Sequence, residues 1–341
     1  MNVALNEGVA RRGLSGTAIG MACLNEALQM LPDVTVQRLQ RSVRPGRGKL
    51  LNAVGDWMWN MYRAPRKAHN GVIIHPANIG LGRRGLRSCV VVHDTMVQDH
   101  PEWFDTAYAA YAKLLMGLSV RHADLVLTPS HASCENILRR WPHASVRVLP
   151  WPLRVDRMRR PRTEAPSRQI LVIAATDAHK RHDLAIEAAR LVRLVLGADV
   201  TLKILGSPSR SENEVAALIR MVDPGGEWIK RLPPISDNAL VTELDRSWVL
   251  LATSLDEGFC LPLIEAAGRS LPVVHTGAGA MREVMPIGVT PANAFDLADA
   301  IVALDSSDDY RDAAQKVWDR AKSFDSALFS HNLANALAGL S

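Results

Sequence analysis

After the apolar run Trp248-Val-Leu-Leu-Ala252 the chain reads Ser254-Leu-Asp-Glu257-Gly-Phe-Cys-Leu-Pro262-Leu-Ile-Glu265-Ala-Ala, and this stretch decides the fold. A short apolar run that stops at a Ser/Asp/Glu/Gly turn and restarts with a proline predicts a strand, a tight loop and a helix with Pro262 in its first turn. The amides of Gly258, Phe259, Cys260 and Leu261 would lie at the open N-terminus of that helix, where unpaired N–H groups and the positive end of the dipole favour a phosphate. Two carboxylates bracket the loop, Glu257 before the helix and Glu265 inside it. Beside a phosphate they would repel it unless they face something else, and sugar hydroxyls are the groups they would accept from. A plain strand-to-helix turn with Glu257 as a first-turn charge is the alternative reading.

Working upstream, the same strand–loop–helix pattern repeats. Gln169 to Ala175 predicts a strand, followed by Thr176-Asp-Ala-His-Lys180-Arg181 and a helix with apolar residues from Leu184 to Val192. Strands at 200–205 and 228–232 and a helix at 237–247 come next, and beyond the opening stretch lie Pro272-Val-Val-His275 and helices near 292–304 and 309–322. Residues 150–168 are rich in proline and charge and have no core pattern, which marks a linker. Before it stand Val3-Ala-Leu5, the Gly-rich loop Arg12-Gly-Leu-Ser-Gly16 opening a helix, Val72-Ile-Ile-His75, Cys89-Val-Val-Val-His93-Asp94, and a strand from Ala123 to Ser130. Asp94 is expected to cap the turn after it, and Ser130 the next helix. The last stretch, 326–340, reads as an amphipathic helix.

A length of 341 residues suits two domains, and 48% apolar with 22% charged residues is a globular composition. No apolar run approaches the roughly 18 residues of a spanning helix, and the N-terminus lacks a signal-peptide layout, so the cytoplasm is the default expectation. The four cysteines, at 23, 89, 134 and 260, have no paired spacing, which argues against a zinc site and a disulfide framework. Residues 1–160 hold 22 Lys/Arg against 11 Asp/Glu, and residues 161–341 hold 18 against 24. So basic a first half fits an acidic substrate, an anionic membrane or merely a solvated arginine-rich surface. Within it, residues 37–69 interleave Arg38, Arg41, Arg44, Arg47, Lys49, Arg63, Arg66 and Lys67 with Trp57, Trp59 and Tyr62. That segment either seats in a lipid headgroup layer, as a membrane or lipid-linked acceptor contact, or packs its aromatics inward. No motif supports nucleic-acid binding.

Glu257 and Glu265 stand as Glu-x7-Glu around Gly-Phe-Cys-Leu-Pro, and the pattern runs on through Gly268-Arg-Ser-Leu-Pro272-Val-Val and Gly277-Ala-Gly-Ala-Met-Arg-Glu283-Val. This resembles the signature of retaining glycosyltransferases of family four, which have the GT-B fold: two Rossmann-like α/β domains facing across a cleft, with a C-terminal helix crossing back to the first. The resemblance implies an acceptor-side domain at 1–155 joined by helix 326–341, a linker at 156–168 and a nucleotide-sugar domain at 169–325. It puts the transferred sugar on Glu257, the ribose on Glu265, and the diphosphate on the backbone of Gly258, Phe259, Cys260 and Leu261 and on Lys180. The family's Gly-Arg pair is here Ala174-Ala175, leaving Arg181 or His179 to supply the second cation. His93-Asp94, followed by His100-Pro-Glu-Trp-Phe104, is similar to a family segment whose histidine reaches the sugar or acceptor. Gly16 corresponds to the loop that approaches the donor phosphates, although a generic glycine turn explains the same residues. The family usually has a small residue where Cys260 stands, so its expected role is to be small.

The implied activity is a retaining hexosyl transfer from a nucleotide-diphosphate sugar, of the GDP-mannose or UDP-glucose type, to a saccharide or lipid-linked acceptor. No cofactor and no metal are expected: the sequence contains no Asp-x-Asp, so protein charge must stabilise the leaving diphosphate. The rival readings are a sugar-nucleotide epimerase or a phosphorylase on the same scaffold, and a noncatalytic membrane- or polyanion-binding protein.

Overall fold

The computed structural model describes residues 1–8, 16–41, 55–154, 157–159 and 161–340. The chain divides into two compact units, Met1–Pro152 with Ser326–Ser341, and Leu153–Asp325.

The first unit is built on a six-stranded parallel sheet in the order β2-β1-β3-β4-β5-β6. Its strands are β1 (Asn2–Asn6), β2 (Thr35–Leu39), β3 (Gly71–His75), β4 (Leu86–Val91), β5 (Leu125–Thr128) and β6 (Val146–Val148). The central strands are almost wholly buried, which is why they read as continuous apolar runs rather than alternating ones. Helices α1 (Gly16–Gln29), α2 (Thr106–His122) and α3 (His131–Arg140) cover the sheet. The two edge strands carried the weakest sequence signal: β2 is Thr-Val-Gln-Arg-Leu with one buried residue, and β6 is three residues long. Thus the start of the basic segment at 37–69 is strand, while Arg44, Arg47 and Lys49 fall outside the described residues. Further on, a π-turn at Trp59–Arg63 buries Trp59, Asn60 and Met61 together. Trp59 therefore packs inward, its Nε1 donating to Asn6 Oδ1 at 2.6 Å, whereas Tyr62 stays exposed beside Trp57.

In the second unit the order is β11-β10-β7-β8-β9, again all parallel. The strands are β7 (Gln169–Ile173), β8 (Thr201–Leu205), β9 (Ile229–Leu232), β10 (Val249–Ala252) and β11 (Val273–His275). The longer helices are α4 (His182–Leu196), α5 (Glu212–Val222), α6 (Asp237–Arg246), α7 (Leu261–Gly268), α8 (Ala294–Ala303) and α9 (Ser307–Ala321). Ala185, Ala188 and Ala189 on α4 are fully buried against Ile170, Val172 and Ile204, since small side chains let a helix settle close to a sheet. The chain starts in the middle of the sheet at β7, builds outward through β8 and β9, then returns to the other side of β7 as β10. The β7/β10 boundary is the topological switch point, and ligands of open α/β sheets bind outside the carboxyl ends of the strands there. The final helix, α10 (Ser326–Ala338), belongs to the first unit and packs on α1.

The proline-rich stretch at 150–168 is less loose than its composition implies. Trp151 and Leu153 are buried, and the Arg162 guanidinium donates to the carbonyls of Arg269, Ser247 and Leu244 at 2.9, 2.8 and 2.6 Å. Residues 155, 156 and 160 are outside the described residues.

Candidate functional site

At the β7/β10 switch point two loops 77 positions apart in sequence lie side by side. The loop after β7 makes a 3-10 turn at Ala178–Lys180 and ends at Arg181, whose φ of 52° is left-handed. Next to it runs the loop after β10. Thr253 Oγ1 donates to the carbonyls of both Lys180 and Arg181 at 2.9 Å, and Leu255 N donates to the carbonyl of the buried His179 at 2.8 Å. These bonds set the Lys180 ammonium 2.7 Å from Glu257 Oε1, with both side chains about 15% exposed or less. The same oxygen accepts from Ser254 Oγ at 2.7 Å. Among the described residues Oε2 receives no hydrogen bond, so Glu257 is an anchored carboxylate with one oxygen presented.

Beyond Glu257 the backbone turns into α7 at Cys260, which has φ 70° and makes no side-chain cap. Among the described residues the amides of Phe259 and Cys260 donate no backbone hydrogen bond, and Pro262 has none to donate. This is the open helix N-terminus read from the sequence. Cys260 is buried, and burial pushes its thiol well above the usual range, so it is inert. Its left-handed backbone adds a demand that the sequence does not reveal, since that conformation favours glycine. Phe259 is buried edge-on against Phe324, which ties the loop to the segment just after α9.

Glu265 lies on α7, half-buried and without a hydrogen bond or ion pair among the described residues. Burial raises its carboxyl to about 7, against a smaller lowering by Arg157. Arg181 is turned to its own helix, its guanidinium 2.9 Å from Asp183, rather than to Glu257. Thus the structure gathers Lys180 and Glu257 and adds Ser254, while Glu265 and Arg181 stand apart from that pair.

Gly16 and His93 belong to the first unit. Gly16 is the exposed first residue of α1, and the loop before it, 9–15, is outside the described residues. His93 comes after β4, stacks on Trp151 with centroids 5.5 Å apart, and places Nε2 2.8 Å from the carbonyl of Pro76. A carbonyl only accepts, so Nε2 carries the proton and Nδ1 the lone pair. Burial lowers the pKa of the ring, which keeps it neutral. Asp94 and Ser130 cap as expected, accepting from the amides of Met96 at 3.0 Å and Ser133 at 3.1 Å.

Sequence reasoning overlooked Ser254 and Gly279. The Ser-x-x-Glu spacing of 254 and 257 was the available signal for the first. It is the spacing of a capping box, used here inside a loop. Among the described residues no cluster of His, Cys, Asp and Glu could hold a metal ion, and no helix is long and apolar enough to cross a membrane.

Residues 167–307 match the family described as glycosyl transferases group 1. The chain is 30% identical over 192 residues to the MMP alpha-(1->4)-mannosyltransferase of Mycolicibacterium hassiacum, covering 52% of this chain and 44% of that one. It is 25% identical over 223 residues to the serotype-specific mannosyltransferase WbdA of Escherichia coli, covering 59% of this chain and 27% of that one. The chain thus spans less than half the length of these curated relatives. Among solved structures, sucrose-phosphate synthase of Thermosynechococcus elongatus superposes with a TM-score of 0.80 at 17% identity, over 100% of this chain and 99% of that one. HepE of Anabaena, in complex with UDP and glucose, does so with a TM-score of 0.74 at 16% identity over the whole of both chains. The match to glycosyl transferases group 1 thus falls within the second unit, and the chain has the GT-B fold.

Proposed function

We propose that the chain is a retaining hexosyltransferase that uses a nucleotide-diphosphate sugar, of the GDP-mannose or UDP-glucose type, and a saccharide or lipid-linked acceptor. The observation that carries this reading is the Lys180–Glu257 pair at the switch point, beside an open helix N-terminus. Mannosyltransferase relatives and a neighbour holding UDP and glucose support the donor class.

In this reading the diphosphate lies on the amides of Phe259 to Leu261 and draws the Lys180 ammonium, so fixed dipoles and one cation stabilise the leaving group. Arg181 would have to leave Asp183 to contribute. Glu257 Oε2 accepts from the transferred sugar and Glu265 from the ribose. Retention is implied by the family resemblance, through front-face attack: the acceptor oxygen bonds to the anomeric carbon as the phosphate oxygen departs and takes the acceptor's proton. His93, with its lone pair on Nδ1, accepts from a hydroxyl of the sugar or acceptor. The basic face of Arg63, Arg66 and Lys67 around exposed Tyr62 is the contact offered to an anionic membrane or lipid-linked acceptor. Bacterial polysaccharide or glycolipid assembly is the setting for such a reaction.

The test measures sugar transfer from GDP-mannose and UDP-glucose to saccharide acceptors by the wild type, Glu257→Ala and Lys180→Ala, with donor-dependent thermal shift as a binding control. Both variants are expected to fold and to lose transfer. Wild-type turnover in either one overturns the assignment.

A further inference from the structure

The geometry points to Ser254 as a positioning residue that holds Glu257 in its working orientation once Lys180 turns to the donor. The inference rests on reading Glu257 as the sugar-facing carboxylate. Two donors meet on Glu257 Oε1, Lys180 Nζ at 2.7 Å and Ser254 Oγ at 2.7 Å. They differ in what anchors them. The Lys180 backbone is fixed by Thr253 Oγ1, but its ammonium sits at the end of a four-carbon stem that a diphosphate can draw away. Ser254 is 4% exposed, has one rotatable bond before its hydroxyl, and its carbonyl accepts from Thr276 Oγ1 at 2.8 Å on the neighbouring strand's loop. Its reach to Oε1 is therefore set by the sheet itself and is unchanged when the lysine moves.

A glutamate with three side-chain torsions that loses its ion-pair partner would sample other rotamers, at the moment when its free oxygen must meet the sugar. Ser254 removes that freedom. The serine hydroxyl touches no reacting atom, and its contribution passes entirely through the carboxylate.

The experiment compares Ser254→Ala, Ser254→Thr, Glu257→Ala and wild type. It reads kcat and KM for GDP-mannose and UDP-glucose, direct UDP and GDP affinity by calorimetry, and thermal midpoint. For Ser254→Ala the expected result is unchanged nucleotide affinity and midpoint with kcat lowered about 10- to 100-fold, the size of a hydrogen bond to a charged group. Ser254→Thr, which keeps the hydroxyl, restores most of that loss. A merely structural serine would lower the midpoint and nucleotide affinity without a selective loss of kcat. Wild-type kcat in Ser254→Ala, or a fall in midpoint that Ser254→Thr shares, overturns the inference. Turnover surviving in Glu257→Ala instead overturns the reading on which it stands. Should Ser254→Ala not fold, Ser254→Cys, close in size and a poor donor, provides the same comparison.

Discussion

A side chain at Gly279 would put its Cβ 2.5 Å from both the backbone nitrogen and the carbonyl oxygen of Glu257, and 2.1 Å from Asp256 Oδ1. Ala280 N donates to the same Glu257 carbonyl at 2.8 Å, so the segment after β11 is the floor on which Glu257 rests. With φ at 55°, Gly279 is also in the left-handed region. Gly279→Ala is therefore expected to lower transfer at least about tenfold by displacing the carboxylate, and to destabilise by about 1–3 kcal/mol. Kinetics and urea unfolding of the one variant check both halves.

Cys260 occupies a left-handed position with a side chain that disfavours it. Replacing it should help. Cys260→Gly is expected to raise stability by about 1 kcal/mol while leaving nucleotide affinity unchanged, because the amides of the loop keep their directions. A denaturant titration that shows loss instead would mean the buried thiol's packing outweighs the backbone strain.

Glu265, raised to about 7 by burial, carries a pH dependence whose sign can be worked out. The unfolded chain releases this proton near the ordinary glutamate value, about 4.3, and the native one holds it to about 7, so stability is lost as pH climbs through that window. Glu265→Gln should be the more stable form at pH 8 and close to the wild type at pH 4.5, read as thermal midpoints. If ribose hydroxyls donate to the carboxylate, nucleotide binding favours its ionised form. Affinity should then tighten as pH rises through about 7, with proton release visible as a buffer-dependent calorimetric enthalpy.

Arg162 satisfies three backbone carbonyls, two of them, Leu244 and Ser247, at the end of α6, and lies 3.7 Å from Asp245. Removing a buried cation from such a set leaves acceptors without donors. Arg162→Met is expected to cost about 3 kcal/mol in stability, measured by urea unfolding, with UDP and GDP affinities preserved at temperatures where the variant is folded.

What the sequence made legible was whatever periodicity and turn chemistry report. The apolar runs of β7, β8 and β10 and the Pro262 helix start fell where expected because buried parallel strands and proline-led helices have few alternatives. The edge strands β2 and β6 did not announce themselves, since an edge tolerates polar residues and brevity. In the site, Lys180 and Glu257 could be named from motif order alone. The hydroxyls that brace them could not, because Thr253 and Thr276 act through carbonyls brought near only by the sheet. Cys260 shows the opposite limit: a left-handed φ is invisible in a residue that is not glycine.

The insertion of β10 beside β7 also bears on how the molecule comes into being. Lys180 meets Glu257, 77 positions further on, only after the intervening chain has closed into a loop, with β8, β9 and their helices already laid down on the far side of β7. Closing so long a loop is entropically slow compared with local helix and strand formation. On the ribosome the nucleus of the second unit can take shape from β7 to β9, yet the Lys180–Glu257 pair of the proposed site must wait for β10 and β11. A chain stalled or cleaved after β9 would hold most of a sheet and no Lys180–Glu257 pair.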